Sequence, residues 1–312
     1  MSLRIAVIGV GHLGRHHARI LASLPGATLT YVVDTNRSRA DDIAAACKTT
    51  ALYDYRDVLG RVDAVALATP TETHAAIAVP LLEAGMAVLV EKPIARTLAE
   101  ADAIVTAAGR RDAALAVGHT ERYNPAVTAA RPLLTNPRFI EGHRLGTFPD
   151  RSLDIDVVFD LMIHDLDLLL SLIDSPIESI EAVGVPVLTE RVDIANARLR
   201  FANGCIANLT ASRISRDRVR KIRFFQPAAY MSIDYATQKV DLWRLTTNGG
   251  PAPAIEGGEL EIATREPLEC ELADFVDAVA SGRSPLVTGG DGRRALALAQ
   301  QITERMTTTV RT

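Results

Sequence analysis

The chain has 312 residues, 48% hydrophobic and 23% charged, the balance of a globular protein rather than a disordered or fibrous one. With 34 basic and 38 acidic residues its net charge is −4, which gives no electrostatic footprint for nucleic acid or an anionic membrane. The length exceeds one typical domain, so two are expected.

Cys47, Cys205 and Cys270 are widely separated, odd in number and without a CxxC pair, which reads as reduced packing residues. No uncharged apolar run approaches the roughly 18 residues of a membrane span. The opening MSLRIAVIG runs straight into a strand pattern and leaves no room for a signal peptide, so a cytoplasmic location is expected.

The stretch from Ile5 to Asp34 organises the rest. A short apolar run, Ile5 to Ile8, has the pattern of a strand buried on both faces. Gly9, Gly11 and Gly14 follow, then a helix with Ile20, Leu21 and Leu24 on its apolar side, ended by Pro25-Gly26. A second apolar run, Leu29 to Val33, closes on Asp34. Gly9 permits a tight turn, Gly11 lets the backbone approach a pyrophosphate, and Gly14 lets helix and strand pack closely. The helix N-terminus offers unpaired N–H groups to phosphates, and Asp34 is placed to accept a hydrogen bond from a ribose hydroxyl. A dinucleotide site is the reading. His12 and Leu13 in the turn, and Thr35 and Arg37 after the second strand, belong to the candidate cofactor set. Asp34 favours NAD, because a carboxylate repels a 2′-phosphate, and Arg37 is a source of some NADP tolerance.

Helices and strands then alternate. Helices are expected over Asn36 to Cys47, Thr71 to Ala84 and Leu98 to Arg110, and strands over Asp63 to Ala68, Met86 to Val90 and Ala114 to Val117. That alternation predicts an α/β domain, a doubly wound parallel sheet over residues 1–120. Ligands bind beyond the carboxyl ends of such strands. Thr69, Pro70, Thr71 and His74 in one loop, Glu91 and Lys92 in the next, and the loop from Gly118 to Asn124 are therefore expected at the cofactor.

The pattern changes near residue 120. A helix over Asn124 to Leu134, a strand over Ile140 to Phe148 and a polar loop over Pro149 to Asp156 precede an apolar helix, Val157 to Leu172. From Ile177 to Ile262 the sequence is mostly strands, the last of them LEIA, with Asn203-Gly204 as a hairpin signal. Two helices, Glu269 to Ser281 and Gly290 to Met306, close the chain. Residues 121–312 are thus expected to form a second, α+β domain with an antiparallel sheet, and the cleft between the two domains to hold the active site.

The helix VVFDLMIHDLDLLL carries the chemistry of the second half. Asp160 and His164 lie four residues apart, on one helical face, and Asp167 extends that face. A carboxylate beside an imidazole suits a general base, because an unperturbed histidine titrates near working pH. Lys92, at a strand end in the cofactor region, is placed to polarise a substrate oxygen. Of the other histidines, His12 is read as close to the phosphates, and His16 and His17 as surface or packing residues. Glu141 and His143, even with Asp160 and His164, have no compact ligand spacing, so no metal is expected.

GVGHLG, ATPTETH, EKPIA, GHTERYNPA and DLMIHDLD, in that order, resemble the Gfo/Idh/MocA oxidoreductases throughout the chain. The resemblance implies a Rossmann domain, a C-terminal domain whose large, mainly antiparallel sheet is often used for oligomerisation into a dimer or tetramer, and a tightly held nicotinamide cofactor. It places the family's catalytic set on Lys92, Asp160 and His164. GHTERYNPA followed by VVFDLMIHDLDLL is most similar to members acting on nucleotide-linked amino sugars, the UDP-N-acetylglucosamine 3-dehydrogenases. On that basis Arg122, Asn124 and Arg151 are expected to contact a diphosphate or acetamido group. One departure stands out: Ile155-Asp156-Val157 occupies a place where many relatives carry glycine. Two other readings are a free-sugar or inositol dehydrogenase of the same family, and a non-catalytic nucleotide-binding regulator.

Overall fold

The first strand, β1 (Leu3–Ile8), pairs in parallel with β2 (Ala27–Val33) on one side and with β4 (Ala64–Leu67) on the other. This is a computed structural model of the chain, and it describes residues 2–148, 155–246 and 254–308. β3 (Thr50–Leu52), β5 (Ala87–Glu91) and β6 (Leu115–Gly118) complete a six-stranded parallel sheet of order β3-β2-β1-β4-β5-β6. Every residue of β4, β5 and β6 is buried, as a strand covered on both faces requires. The helices between them are α1 (Gly14–Leu21), α2 (Arg37–Cys47), α3 (His74–Glu83) and α4 (Leu98–Arg111). The strand order reverses between β1 and β4, so the loops after those strands flank the crevice where doubly wound sheets take ligands.

α5 (Pro125–Ala130) opens the second part, followed by β7 (Phe139–Leu145) and by a π-helical turn, Val158–Met162, that runs into α6 (Ile163–Leu172). Strands β8 (Ile177–Val185), β9 (Ile194–Phe201), β10 (Ile206–Ser212), β11 (Val219–Gln226), β12 (Ala229–Asp234), β13 (Lys239–Thr246) and β14 (Ala254–Glu259) come next. α7 (Pro267–Ser281), α8 (Gly289–Arg305) and β15 (Met306–Thr308) end the chain. The nine strands form one sheet of order β14-β13-β12-β11-β7-β10-β9-β8-β15. Only the β7–β10 and β15–β8 pairs are parallel. Asn203 and Gly204 turn β9 into β10 as the sequence predicts, with Gly204 at φ +82°. Along β7 the residues alternate between half-exposed Phe139, Glu141 and His143 and buried Ile140, Gly142 and Arg144. One face of this sheet is core and the other is open.

The chain divides into two compact units, and the division corrects the expected single boundary at residue 120. Unit 1 comprises the chain through Thr120 together with Glu266–Leu296, and unit 2 comprises Glu121–Arg265 and the chain from Ala297 on. The cause is α7, whose Leu272, Phe275 and Val276 join the core of Ile5, Val7, Ala18 and Leu21. Each such side chain contributes about 1.5–3 kcal/mol when fully buried. An amphipathic helix shows in sequence that it will be buried but not against what. LEIA, expected as a strand, is not one; the strand is the preceding AIEGGE. Glycines usually weaken a strand, but a Cβ on Gly257 would stand 1.9 Å from the Leu242 carbonyl oxygen, so close pairing requires glycine there.

Candidate active site

In unit 1 the glycine turn has the geometry of a phosphate cradle. Gly9 adopts φ +82°, and a Cβ there would lie 2.7 Å from the Ala68 carbonyl oxygen. A Cβ on Gly14 would stand 1.7 Å from the Gly9 carbonyl oxygen, so helix and turn touch backbone to backbone. At Gly11 the nearest atom to a Cβ is Arg39 Nη1 at 4.0 Å, which leaves space against the backbone. The cap position of α1 is Leu13, which makes no side-chain cap hydrogen bond. His12 and Leu13 are exposed in the turn, and the His12 and His16 rings meet edge-on at 6.1 Å. These features fit a dinucleotide pyrophosphate.

Asp34 lies at the end of β2 and is 8% exposed. Its Oδ2 accepts from the Val10 amide at 3.1 Å and its Oδ1 from the Asn36 amide at 2.9 Å, so it braces the glycine turn. Thr35 is exposed beside it. Arg37 is directed elsewhere, its guanidinium 4.2 Å from the centre of the Tyr53 ring. The cation at Asp34 is Arg39, Nη1 to Oδ2 3.3 Å. Sequence reasoning missed Arg39, although an Asn36 cap puts Arg39 in the first helical turn, and Asn36 Oδ1 does accept from the Arg39 amide at 3.1 Å.

The loop after β4 holds Thr69 and Pro70, then a 3-10 turn, Thr71–Thr73, and His74 at the start of α3. His74 is buried, its Nδ1 3.0 Å from the Pro93 carbonyl oxygen and its Nε2 2.9 Å from that of Thr69. Burial pushes this imidazole down, outweighing those backbone bonds. His74 therefore links the loop after β4 to the loop after β5. In the latter, a cis peptide joins half-buried Lys92 to Pro93. Glu91, 6% exposed, faces inward: its Oε1 lies 2.8 Å from His17 Nε2, and its Oε2 accepts from the Lys92 amide at 3.2 Å. Burial would raise the Glu91 carboxyl, but the His17 hydrogen bond and the nearby charges of His17 and Lys92 prevail and hold it low. Glu271 of α7 is buried in the same region and pushed well up by burial and by the charge of Glu91. Of the two readings for His17, surface or packing, burial decides for packing, with a polar partner in Glu91 that the sequence did not reveal. Glu271 did not stand out in the sequence.

Asp160 and His164 belong to unit 2, and both are half-buried. Asp160 sits in the π-helical turn, its amide donating to the Asp156 carbonyl at 3.2 Å, and His164 in the first turn of α6. Asp167 does not extend their face, because it is buried and takes Arg122 in two contacts, Nε to Oδ2 2.8 Å and Nη2 to Oδ1 3.3 Å. Asn124 caps α5 by accepting from the Ala126 amide at 3.0 Å, and its Nδ2 donates to the Tyr235 carbonyl at 3.0 Å. Arg122 and Asn124 thus have partners inside unit 2, while Arg151 lies outside the described residues. In the Ile155-Asp156-Val157 stretch, Asp156 Oδ1 accepts from the Val192 amide at 3.0 Å, and Arg213 donates to the Ile155 carbonyl.

Residues 3–119 match the model of the oxidoreductase family with an NAD-binding Rossmann fold, and residues 135–226 match the GFO/IDH/MocA C-terminal domain. The UDP-N-acetylglucosamine 3-dehydrogenase of Acidithiobacillus ferrooxidans is 40% identical over 97% of this chain and 96% of its own. This chain belongs to the Gfo/Idh/MocA family. A solved structure of the Acidithiobacillus enzyme superposes with a TM-score of 0.91 at 39% identity, covering 98% of both chains. The scyllo-inositol 2-dehydrogenase (NAD(+)) of Bacillus subtilis is 28% identical over 93% of this chain and 90% of its own. As a member of this family the chain is an NAD-binding oxidoreductase, a dehydrogenase acting on CH–OH groups. Among the described residues no helix is long and apolar enough to cross a membrane.

Proposed function

We propose that this chain oxidises the C3 hydroxyl of UDP-N-acetylglucosamine with NAD+, giving the 3-keto sugar and NADH. The observation that carries the reading is 40% identity along almost the whole length of both chains to an enzyme of that name. The motif set EKPIA and DLMIHDLD supports it by supplying the groups the chemistry needs. NAD+ supplies the hydride acceptor. Gly9, Gly11 and Gly14 receive its pyrophosphate, and Asp34 its adenosine ribose. His164 accepts the proton of the reacting hydroxyl as general base. Lys92 hydrogen-bonds the same oxygen and stabilises the charge that develops on it, and Asp160 orients His164 or the sugar. Arg151 is the candidate for a diphosphate contact; Arg122 and Asn124 are assigned to shaping unit 2 rather than to ligation.

The enzyme is proposed to be cytoplasmic and to act as a dimer or tetramer through the open face of its nine-stranded sheet. On that face Phe139, Phe225 and Tyr230 stack in sequence, with ring centroids 5.5 and 5.2 Å apart, and Trp243 beside Tyr230 is 44% exposed. Aromatic residues concentrated on an exposed sheet are typical of protein interfaces.

NADH formation is to be followed by absorbance with NAD+ and a panel of UDP-N-acetylglucosamine, other nucleotide sugars, free hexoses and inositols. An aminotransferase with glutamate is added in parallel to draw off the keto product. Turnover confined to UDP-N-acetylhexosamines and abolished by Lys92→Ala supports the reading. Turnover of inositol instead would move the chain toward the Bacillus relative. Firm NAD+ binding without turnover of any sugar would favour a regulatory protein.

A further inference from the structure

Beneath Lys92 lies a buried cluster that the reaction as derived leaves unused. His17 of α1 is fully buried, Glu91 at the end of β5 is 6% exposed and Glu271 of α7 is 1% exposed. The Glu91 carboxylate has little freedom. One oxygen faces His17 Nε2 at 2.8 Å, the other takes the Lys92 amide at 3.2 Å, and a Cβ on Gly118 of β6 would lie 3.0 Å from that second oxygen. Glycine at position 118 is what makes room for the carboxylate. Thr120 and Asp274 neighbour Glu271, His74 senses the charge of Glu91, and Glu91 in turn that of Lys92. Neither Glu271 oxygen makes a hydrogen bond of ordinary geometry among the described residues, and the neighbouring Thr120 hydroxyl only partly offsets the burial. Two neighbouring buried carboxyls, only one of them shown against an imidazole, do not both ionise at low cost. The protonated acid of such a pair is the one with the poorer donors, Glu271, since Glu91 has both the His17 ring and the Lys92 amide.

The arrangement has a direction. α1 is the helix whose N-terminus faces the phosphate cradle, and Lys92 is the residue assigned to the reacting oxygen. Two hydrogen bonds, both on one carboxylate, connect them. We infer that Glu91 and His17 are positioning residues: together they tie the backbone of Lys92 to the dinucleotide helix. The inference rests on the assignment of Lys92 given above. Outer groups that fix a reacting side chain typically matter because displacement of about 1 Å costs up to about a hundredfold in rate.

The test uses the whole chain and compares H17F, H17Q and E91Q with wild type. NAD+ affinity is measured by fluorescence titration, kcat and KM with the sugar that wild type turns over, and exchange of the Lys92 amide hydrogen by mass spectrometry with residue-level fragmentation. H17F and E91Q are expected to lower kcat about tenfold or more while the Kd for NAD+ changes less than about threefold. Both are expected to speed exchange at Lys92. H17Q, whose side-chain amide still donates to Glu91, is expected to recover most of each loss. Equal impairment of H17F and H17Q, or kcat falling only in step with Tm, would assign His17 to packing and overturn the inference. So would wild-type exchange at Lys92 in E91Q. The exchange measurement needs no turnover, so a wild type that oxidises no sugar refutes the dehydrogenase reading while the clamp itself is still decided.

Discussion

Arg144 on β7 and Asp165 on α6 meet as a two-bond pair, Nε to Oδ2 and Nη2 to Oδ1 both 2.9 Å, with each side chain only 4% exposed. Glu121 adds a third contact to Arg144 at 3.0 Å, and the Tyr235 ring lies 5.3 Å from the guanidinium. Burial would lower this guanidinium, but Asp165 and Glu121 prevail and raise it. Asp165 follows His164 directly, so the pair fixes the rotation of the helix that carries the proposed base.

Removing one partner leaves the other charged and buried, which costs about 3–5 kcal/mol, whereas exchanging both for apolar groups is often neutral. Asp165→Leu is therefore expected to lower the free energy of unfolding by about that amount. The double variant Arg144→Met/Asp165→Leu is expected to regain part of it, the remainder being the loss at Glu121, whose contact to Arg144 goes as well. Urea unfolding of the singles and the double checks this. Equal losses in the double and the singles would show that packing, not charge, sets the stability here.

Arg39 rather than Arg37 is expected to govern tolerance of a 2′-phosphate, since Arg39 lies 3.3 Å from Asp34 while Arg37 stacks on Tyr53. Arg39 is half exposed, so its effect is limited to about 1 kcal/mol, roughly fivefold in affinity. Arg39→Ala should weaken NADP+ by about that factor and leave NAD+ nearly unchanged, and Arg37→Ala should alter neither. Fluorescence titration with the two nucleotides decides it; a larger effect at Arg37 would return that residue to the site.

The glycine turn, the alternation of unit 1 and the Asn203-Gly204 hairpin were legible because each follows from local rules: backbone freedom, periodicity and turn chemistry. The polar clusters were not. Arg122 looked like a substrate contact and Asp167 like part of the reactive face, since sequence shows which residues carry charge but not which charges neutralise each other across 45 positions. His17 and Glu271 were invisible for the same reason, being brought to Glu91 by separate helices. Arg39 was passed over for Arg37 because two arginines two residues apart point to different sides of a helix, and only packing against Tyr53 settles which one turns inward.

The three glycines of the turn separate stability from binding. A methyl at Gly14 meets a backbone oxygen at 1.7 Å, which no side-chain motion relieves, whereas at Gly11 it meets only the tip of a flexible arginine at 4.0 Å. Gly14→Ala is expected to cost about 1–3 kcal/mol or more through overpacking and to lower Tm. Gly11→Ala should leave Tm near wild type and weaken NAD+ binding by keeping the phosphates off the backbone. Thermal unfolding and nucleotide titration on both variants test the pair, and normal NAD+ affinity in Gly11→Ala would move the pyrophosphate away from this turn.

Glu271 gives the folded chain a pH dependence of definite sign. Burial, then the charge of Glu91, raises its carboxyl well above the ordinary value of 4.5. Between 4.5 and that raised value the unfolded chain has released the proton and the native chain still holds it. The native state binds more protons, so stability falls as pH rises through this window. Glu91, shifted the other way, loses its contribution only as pH falls below 4.5, and so acts outside the window. Glu271→Gln substitutes a neutral group of similar shape and removes the dependence. Relative to wild type it should gain stability at pH 8 and little at pH 5, read as the difference in urea midpoints at the two values. A variant equally stabilised at both would mean that Glu271 is ionised in the native state, with a partner that neutralises it.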